Sequence, residues 1–220
     1  MAVDYYLGVY WGPRATSAKQ LSEGLTAVLR DLAQRDPFLA HWNAGTEDGI
    51  GAVLQLDAGA IATRLLGTPN SSQVAFNFYS GAKETSGSMI GVVGHTGPFN
   101  RNRIVLRFRR QIAEFPPLDS ARGMMESFVS AFEPEWATLA PVDWTLPDAL
   151  GVRNTVGWMY YENRPLLGPW KHPTAARPLG PGTMIVTGDG VFDMQDPSQT
   201  ARVVEAATEL SKLGFLRPKR

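Results

Sequence analysis

The fold is decided by residues Gln73–Arg110, QVAFNFYSGAKETSGSMIGVVGHTGPFNRNRIVLRFRR. Three strand-like segments joined by short polar breaks make up this stretch, at 73–80, 88–94 and 101–109. In the first segment, Val74, Phe76 and Phe78 fall on one side of the chain, which is the period of a strand with one buried face. Turn-forming residues separate the segments, so hairpins are expected between them. Three adjacent strands make a sheet, and a sheet with one apolar face needs a helical cover.

Amphipathic segments elsewhere in the chain can supply that cover. Ser17, followed three positions later by Gln20, predicts a capping box at the start of a helix with a continuous apolar stripe. A short helix is predicted over Asp57–Leu66, ended by Gly67 and Pro69. Two more helices are predicted, one capped by Asp119 or Ser120 and ended at Pro134, the other over Pro197–Leu213 with Asp196 or Ser198 at its cap.

These elements predict an α+β fold, in which a largely antiparallel sheet built on Gln73–Arg109 has helices packed against it. Further strands are predicted at Tyr5–Tyr10, Val156–Tyr161 and Met184–Val186, whereas Pro134–Pro147 is interpreted as a loop and Asn163–Pro181 as a long connection without secondary structure. With 220 residues, the chain is interpreted as one domain spanning 1–220, and two lobes with a boundary near 145–152 are the alternative.

The composition argues against several classes of function. Lysine plus arginine number 21 and aspartate plus glutamate number 21, so the formal charge is zero, which argues against nucleic-acid binding as the main role. Cysteine is absent, which excludes disulfides and thiol nucleophiles and suits a reducing compartment. The N-terminus has no signal-peptide pattern, and no apolar stretch approaches the roughly 20 residues that span a bilayer. We therefore expect a soluble, cytoplasmic protein with no membrane partner.

The sequence predicts no catalytic, cofactor-binding or metal-binding residues. The three histidines, His41, His95 and His172, do not occur in metal-ligand pairs, and there is no nucleophile elbow or phosphate loop. The glycines of Gly91–Gly97 follow a strand, but no helix comes after them to hold a pyrophosphate, so a dinucleotide site is rejected. The arginines between 101 and 110 are interpreted as the solvated face of a strand, a device that also protects edge strands from aggregation.

The start of the chain resembles a known family. The segment YYLGVYWGPR, Tyr5–Arg14, is followed by the capped helix and then by Asp36–Phe38 ahead of Trp42. This arrangement resembles the immunity protein 52 family of bacterial toxin systems, and weaker similarity around Gly157–Trp158 extends it to most of the chain. The resemblance implies a cytoplasmic α+β protein without an active site, often part of a type VI secretion system. The role of Arg14 is left open between pairing with a carboxylate of the fold and reaching a partner.

The resemblance also implies a partner and a function. Members of the family are typically encoded beside a toxin with a restriction-endonuclease-like nuclease domain, so this chain is expected to bind and neutralise the nuclease of an adjacent gene. Two other functions stay open: a hydrolase using carboxylates from distant positions such as Glu135 and Asp189, or a structural or adaptor protein of a phage-like or secretion assembly. A neighbouring reading frame that encodes a large secreted protein ending in a nuclease domain would favour the first hypothesis.

The predicted partner surface is the proline-bounded segment Pro134–Pro147. It contains Glu135, Trp136, Asp143 and Trp144, and tryptophans in desolvated pockets are frequent hot spots of protein interfaces. The carboxylates are expected to meet basic residues with which a nuclease holds the phosphate backbone. The alternative is that both tryptophans belong to the core. In that case, the next candidate is Trp170 in the Asn163–Pro181 connection.

Overall fold

The computed structural model describes residues 2–14, 16–46, 49–65, 74–80, 87–94, 102–167, 170 and 172–218. The strands within these residues are β1 Ala2–Trp11, β2 Trp42–Thr46, β3 Gly49–Val53, β4 Val74–Ser80, β5 Gly87–Val93, β6 Asn102–Gln111, β7 Trp136–Pro141, β8 Met159–Glu162, β9 Ala175–Leu179 and β10 Gly182–Val186. The α-helices are α1 Ala18–Arg35, α2 Ala58–Leu65, α3 Leu118–Phe132 and α4 Pro197–Lys212. Short 3-10 helices occur at Pro37–Leu39, Ile112–Glu114 and Asp148–Leu150.

The strands form one sheet in the order β3-β2-β4-β5-β6-β1-β7-β8-β10-β9. Each neighbouring pair is antiparallel. The predicted pairing of the 73–110 strands is confirmed, because Met89 lies opposite Phe78 on one side and Leu106 on the other. The α+β fold with a largely antiparallel sheet is therefore confirmed.

The centre of the sheet is strand β1, which pairs with β6 on one edge and with β7 on the other. Leu7 lies opposite Leu106 in β6 and opposite Leu139 in β7. The stretch 73–110 therefore forms one side of the sheet, and the N-terminal strand joins that side to the strands that follow residue 135.

One face of the sheet is covered by helices. In β1, the residues Tyr5, Leu7, Val9 and Trp11 are all at most 2% exposed. Trp11 is stacked on Phe132 at the end of α3, with ring centroids 5.9 Å apart. Helices α1 and α3 pack against each other, and their apolar residues belong to the same continuous cluster as the buried residues of the strands. Alternation along β1, β4, β5 and β6 thus separates a helix-covered face from the opposite face.

The predicted helix caps are confirmed at two ends and wrong at a third. Ser17 and Gln20 form the capping box of α1, and Asp196 caps α4 by accepting from the backbone N–H groups of its first turn. Helix α3 begins earlier than predicted, with Pro117 at its cap, so Asp119 lies inside the first turn. Its carboxylate there accepts from Arg122 at 2.8 Å, a position where negative charge also favours the helix dipole. The predicted stop of α2 lies outside the described residues.

Two segments interpreted as irregular contain strands. Residues 136–141, part of the predicted Pro134–Pro147 loop, form β7 in the interior of the sheet, and the Asn163–Pro181 connection contains the edge strand β9. Strand β7 shows no period-2 pattern because residues 137–141 are all buried. We propose a single domain, because β7 and β8 lie on either side of the possible boundary at 145–152 in the sequence and yet pair directly in the sheet.

The arginine cluster is only partly the solvated face of a strand. Arg103, Arg107 and Arg109 are exposed as expected, but β6 lies in the interior of the sheet, so they do not protect an edge strand. Arg110 points the other way and is 3% exposed. It donates a hydrogen bond from Nη1 to the buried carboxylate of Asp36, and Arg101 lies outside the described residues.

The Arg110–Asp36 pair connects β6 to the end of α1. The other oxygen of Asp36 accepts from the backbone N–H of Phe38 at 3.0 Å, and the guanidinium of Arg110 lies 4.6 Å from the centre of the Phe38 ring. Nε and Nη2 of Arg110 have no hydrogen-bond partner among the described residues. A buried charge with a single ionic partner depends strongly on that partner.

We expect Asp36→Ala to lower the free energy of unfolding by about 3–5 kcal/mol, because it leaves the arginine charge buried and unpaired. Urea unfolding followed by tryptophan fluorescence measures this. The control is Glu23→Ala, which removes an exposed partner 3.9 Å from Lys19 and should cost about 0.5 kcal/mol or less. Equal effects of the two variants would contradict the structural role of the buried pair.

Candidate partner-binding surfaces

Glu135 holds distant parts of the chain together. One oxygen of its carboxylate accepts from the backbone N–H of Gly12 at 2.9 Å, and the other accepts from Nη2 of Arg217 at 2.6 Å. The side chains of Glu135 and Arg217 are 38% and 32% exposed, so the pair is still accessible to water. Both carboxylate oxygens therefore have partners within the fold, at the junction of β1, β7 and the C-terminal segment.

The two tryptophans of the predicted surface are half-buried and lie in different surroundings. Trp136 is stacked on Tyr10, with ring centroids 4.0 Å apart. Trp144 donates from Nε1 to the backbone oxygen of Val156 at 2.7 Å and packs edge-on against Phe192. Trp136 lies on the sheet face opposite the helices, whereas the indole of Trp144 is held by the segments that follow β7 and β10.

The remaining two predicted residues also lie apart. Asp143 is exposed, just beyond the end of β7. Trp170 donates from Nε1 to the backbone oxygen of Thr174 at 2.7 Å and lines a cavity of about 310 Å³ beside β9 and β10. The structure thus brings Glu135 and Trp136 together near the end of β1 but does not gather the five predicted residues into one cluster.

A second surface, which the sequence analysis missed, is the side of the central strands away from the helices. We call it the open face, and it consists of Asp4, Tyr6, Tyr10, Ala75, Asn77, Tyr79, Ser88, Ile90, Val92, Arg103, Val105, Arg107, Arg109 and Trp136. None of these side chains is fully buried, and Ile90 is 43% exposed in the middle of the sheet. The alternation of β1 could have indicated this surface in the sequence, since it places Tyr6 and Tyr10 on the face opposite the buried residues.

The tyrosines of the open face are packed closely against the sheet. A Cβ added to Gly8 would lie 2.6 Å from Oη of Tyr10, so the ring of Tyr10 occupies the space above a glycine. Burial raises the pKa of Tyr10, and the nearby Tyr6 raises it further while Arg103 lowers it. Burial also raises the pKa of Tyr6, and a hydrogen bond with Thr155 opposes this. These tyrosines are neutral at physiological pH, and the segment with Thr155 borders the open face on the β7 side.

The third surface is a groove of about 710 Å³ between α1 and α3. Its charged lining residues are Arg14, Glu23, Asp31, Arg35, Glu126 and Glu133. Arg35 donates to Asp31 at 2.6 Å, and Arg14 donates to the backbone oxygen of Phe132 while lying 4.0 Å from Glu133. Arg14 therefore pairs within the fold, one of the two roles left open by the sequence. Four carboxylates and two guanidinium groups therefore line the groove, which is acidic overall.

The possible metal ligands of the described residues do not form a cluster. No group of three or more histidines, aspartates and glutamates among them is placed to hold a metal ion. Glu135, named for the hydrolase hypothesis, is paired with Arg217, and Asp189 is exposed in a turn. None of the helices in this part of the chain has both the length and the apolar content needed to cross a membrane.

An acid with a raised pKa, Glu162, lies in a buried network beside Glu135. Glu162 accepts from Oη of Tyr160 at 2.5 Å, and Asn154 donates to the same Oη at 2.9 Å. Burial raises the pKa of Glu162 above its ordinary value of 4.5, although the hydrogen bond from Tyr160 and the nearby Arg217 oppose the shift. Burial also raises the pKa of Tyr160 well above 10. The network anchors β8, and its three members Asn154, Tyr160 and Glu162 are all buried.

The raised pKa of Glu162 predicts a pH dependence of stability. Above pH 4.5 the unfolded chain loses the Glu162 proton while the folded protein keeps it, so stability falls as the pH rises through the raised pKa and then levels off. We expect Glu162→Gln to flatten this part of the profile, because glutamine keeps an acceptor for Tyr160 without a titrating group. Urea unfolding between pH 4.5 and 8 measures the difference. Glu23→Gln should leave the profile unchanged, and a parallel profile for Glu162→Gln would refute the assignment.

Comparison with solved structures supports the fold. The structure is similar to that of Pseudomonas aeruginosa T6SS protein PA0821, with a TM-score of 0.58 and 16% sequence identity over 99% of this chain and 74% of that chain. A weaker similarity is to the toxic C-terminal tip of CdiA from Pseudomonas aeruginosa in complex with immune protein. There the TM-score is 0.34 and the identity 12%, over 65% of this chain and 88% of that chain.

Comparison of sequences supplies the family. Among proteins with curated functions, none matches this chain. The family model described as immunity protein 52 matches residues 3–219, so the match covers both sides of the central sheet and the C-terminal helix. The resemblance recognised in the first 45 residues therefore extends over nearly the whole sequence, and this chain belongs to the immunity protein 52 family.

Proposed function

We propose that this protein is an immunity protein that binds and neutralises a cognate secreted toxin in the cytoplasm of the producing cell. The observation that carries the proposal is the match of the immunity protein 52 family to residues 3–219. We further propose that the toxin is a nuclease with a restriction-endonuclease fold encoded by the adjacent gene, as the family resemblance implies. The protein would need no metal or cofactor for this role, since it acts by occupying a surface of the toxin.

Neutralisation by binding places physical demands on the protein. A lethal enzyme has to be held with nanomolar or tighter affinity, roughly −12 kcal/mol or beyond, which requires an interface of at least the standard size of about 1,600 Å². Such affinity is favoured when the binding surface is already rigid in the free protein. A continuous antiparallel sheet with a helical cover on one side supplies a rigid scaffold of this kind.

The proposal is tested with the product of the adjacent gene. We expect this chain to co-purify with that protein as a stoichiometric complex, and to restore growth of cells in which the toxin domain is expressed. The purified chain should also suppress cleavage of plasmid DNA or of RNA by the isolated toxin domain. Asp36→Ala, which destabilises the fold, serves as a control that loses protection through loss of folded protein.

Several outcomes would overturn the proposal. Absence of a complex together with absence of protection would remove the immunity role. A complex with a structural component of a secretion assembly, without protection against any toxin, would favour the adaptor hypothesis. Turnover of ester, peptide or nucleotide substrates by the purified chain would favour the hydrolase hypothesis. Inhibition of a toxin that does not cleave nucleic acid would retain the immunity role and reject the nuclease.

The five residues predicted from the sequence remain a proposal for the partner surface, and their contacts decide how each can be tested. Glu135, Trp144 and Trp170 use their polar atoms within the fold, so their substitution affects stability as well as binding. Trp136 presents its ring beside Tyr10 on the open face. Asp143 is exposed, so it offers the cleanest test of the 134–147 segment.

We expect Asp143→Ala to change the free energy of unfolding by about 0.5 kcal/mol or less and to weaken toxin binding at least about tenfold if this segment contacts the toxin. Glu135→Ala should cost about 1–2 kcal/mol of stability, because it removes the acceptor of Gly12 and Arg217. Urea unfolding and isothermal titration calorimetry separate the two effects. Wild-type affinity in a folded Asp143→Ala variant would remove Asp143 from the interface.

A further inference from the structure

We propose that the toxin docks on the open face of the sheet and presents an acidic surface to it. This inference rests on the proposed function and goes beyond it by assigning the side of the molecule and the charge of the partner. It reverses the expectation from the sequence, in which carboxylates of this chain meet basic residues of the toxin. Three features of the described residues carry it: the shape of the face, its aromatic and apolar centre, and its charge.

The open face is built from four adjacent strands, β4, β5, β6 and β1, and ends at Trp136 of β7. Its central row runs across the sheet through Asn77, Ile90 and Val105 to Gly8, which Tyr10 covers, and the next residue in the register, Thr138 of β7, is fully buried. The strands lie about 4.8 Å apart, so these four make a face about 14 Å wide, and the seven residues from Arg103 to Arg109 extend about 20 Å along β6. Helices α1 and α3 pack on the opposite side of the sheet, so neither of them covers the open face.

The centre of the open face has the composition of an interface core. Ile90 is 43% exposed although it lies on an interior strand, and Val92 and Val105 beside it are only partly buried. On the β1 side, the stacked rings of Tyr10 and Trp136 continue this apolar area. Tyrosine, tryptophan and arginine are enriched in interfaces because they bury a large area and lose little conformational entropy. The close fit of Tyr10 over Gly8 holds the ring in place before a partner arrives.

The charge of the open face determines the chemistry of its partner. Arg103, Arg107 and Arg109 are exposed along β6, and Asp4 is the acidic residue among the described side chains of this face. Asp4 lies 3.5 Å from Arg107, and both side chains are accessible to water, so this pair is weak. A net positive stripe beside an apolar centre is complementary to a protein surface that carries carboxylates around an apolar area.

Two other occupants fit the face less well. A second copy of this chain in a two-fold dimer would place the arginine stripe against itself, which like-charge repulsion disfavours. A single-stranded nucleic acid requires aromatic rings with free faces on which bases stack. Here the ring of Tyr10 has one side occupied by Trp136 and lies above Gly8, and the chain as a whole has zero formal charge.

Charge reversal on the open face tests the proposal. The probe is a catalytically inactive form of the toxin that co-purifies with the wild-type chain. We expect Arg103→Glu/Arg107→Glu to weaken binding at least about 100-fold, and Arg103→Gln/Arg107→Gln to weaken it less and to reduce its dependence on salt. The matched control is Arg64→Glu/Arg202→Glu, which changes the net charge equally at two exposed positions on α2 and α4. The control should retain wild-type affinity.

Each outcome of this experiment supports or overturns a defined statement. Wild-type affinity in the folded Arg103/Arg107 variants would reject the open face while leaving the immunity function intact. Equal losses in the control would show a general charge effect and would also reject the assignment. If the wild-type chain binds no toxin, the proposed function and this inference both fail. If the wild-type chain shifts the mobility of single-stranded RNA and the arginine substitutions abolish the shift, the face binds nucleic acid instead. If light scattering shows a dimer that the same substitutions abolish, the face binds a second copy of this chain.

Discussion

Strand β1 has to satisfy hydrogen-bonding partners on both of its edges, and the rest of the sheet depends on this constraint. It pairs over its whole length with β6 and over its central part with β7. Those partners lie about 100 and 130 residues further along the chain, since Leu7 meets both Leu106 and Leu139. Without β1, the sheet would separate into two parts, each with an unpaired interior edge. Such long-range pairing carries a large entropic cost of loop closure, which is typical of slowly folding β proteins.

The same strand explains why the two faces of the sheet differ. Its odd-numbered residues from Tyr5 to Trp11 belong to the core beneath α1 and α3, and β4, β5 and β6 repeat this alternation, whereas β7 is buried on both faces. The even-numbered residues Tyr6 and Tyr10 then point away from the helices, where they lie among arginines of β6. An antiparallel sheet tolerates one solvated face because its alternation separates the two environments residue by residue. The open face is thus a direct consequence of how the helices are distributed.

Polar contacts fix the ends of this arrangement. Asp36 joins the end of α1 to Arg110 of β6, and Glu135 joins the end of β1 to Arg217 near the C-terminus. The backbone N–H of Arg153 donates to the oxygen of Arg217, so the C-terminal segment is held from a second side. The segment around Arg217 is therefore attached to the central strands. A protein that neutralises a partner by binding alone benefits from this rigidity, because little order has to be gained in the complex.

The sequence by itself determined the local elements and the family. Period-2 alternation identified β4 and β6, and a nearly continuous apolar run identified β5. The Ser17–Gln20 and Asp196 caps located α1 and α4, and the first 45 residues indicated the family. These signals are local: each lies within a few residues and reports which backbone conformation the segment prefers.

Only the tertiary structure decided which segments became neighbours. Strand β7 was missed because it is buried on both faces and carries no alternation, and Arg110 was assigned to the solvated face because its partner Asp36 is 74 residues away. For the same reason, Trp136 and Tyr10 could not be paired in advance. Contacts of this kind are set by the strand order and the register, which depend on packing across the whole chain and leave no periodic signal in any one segment.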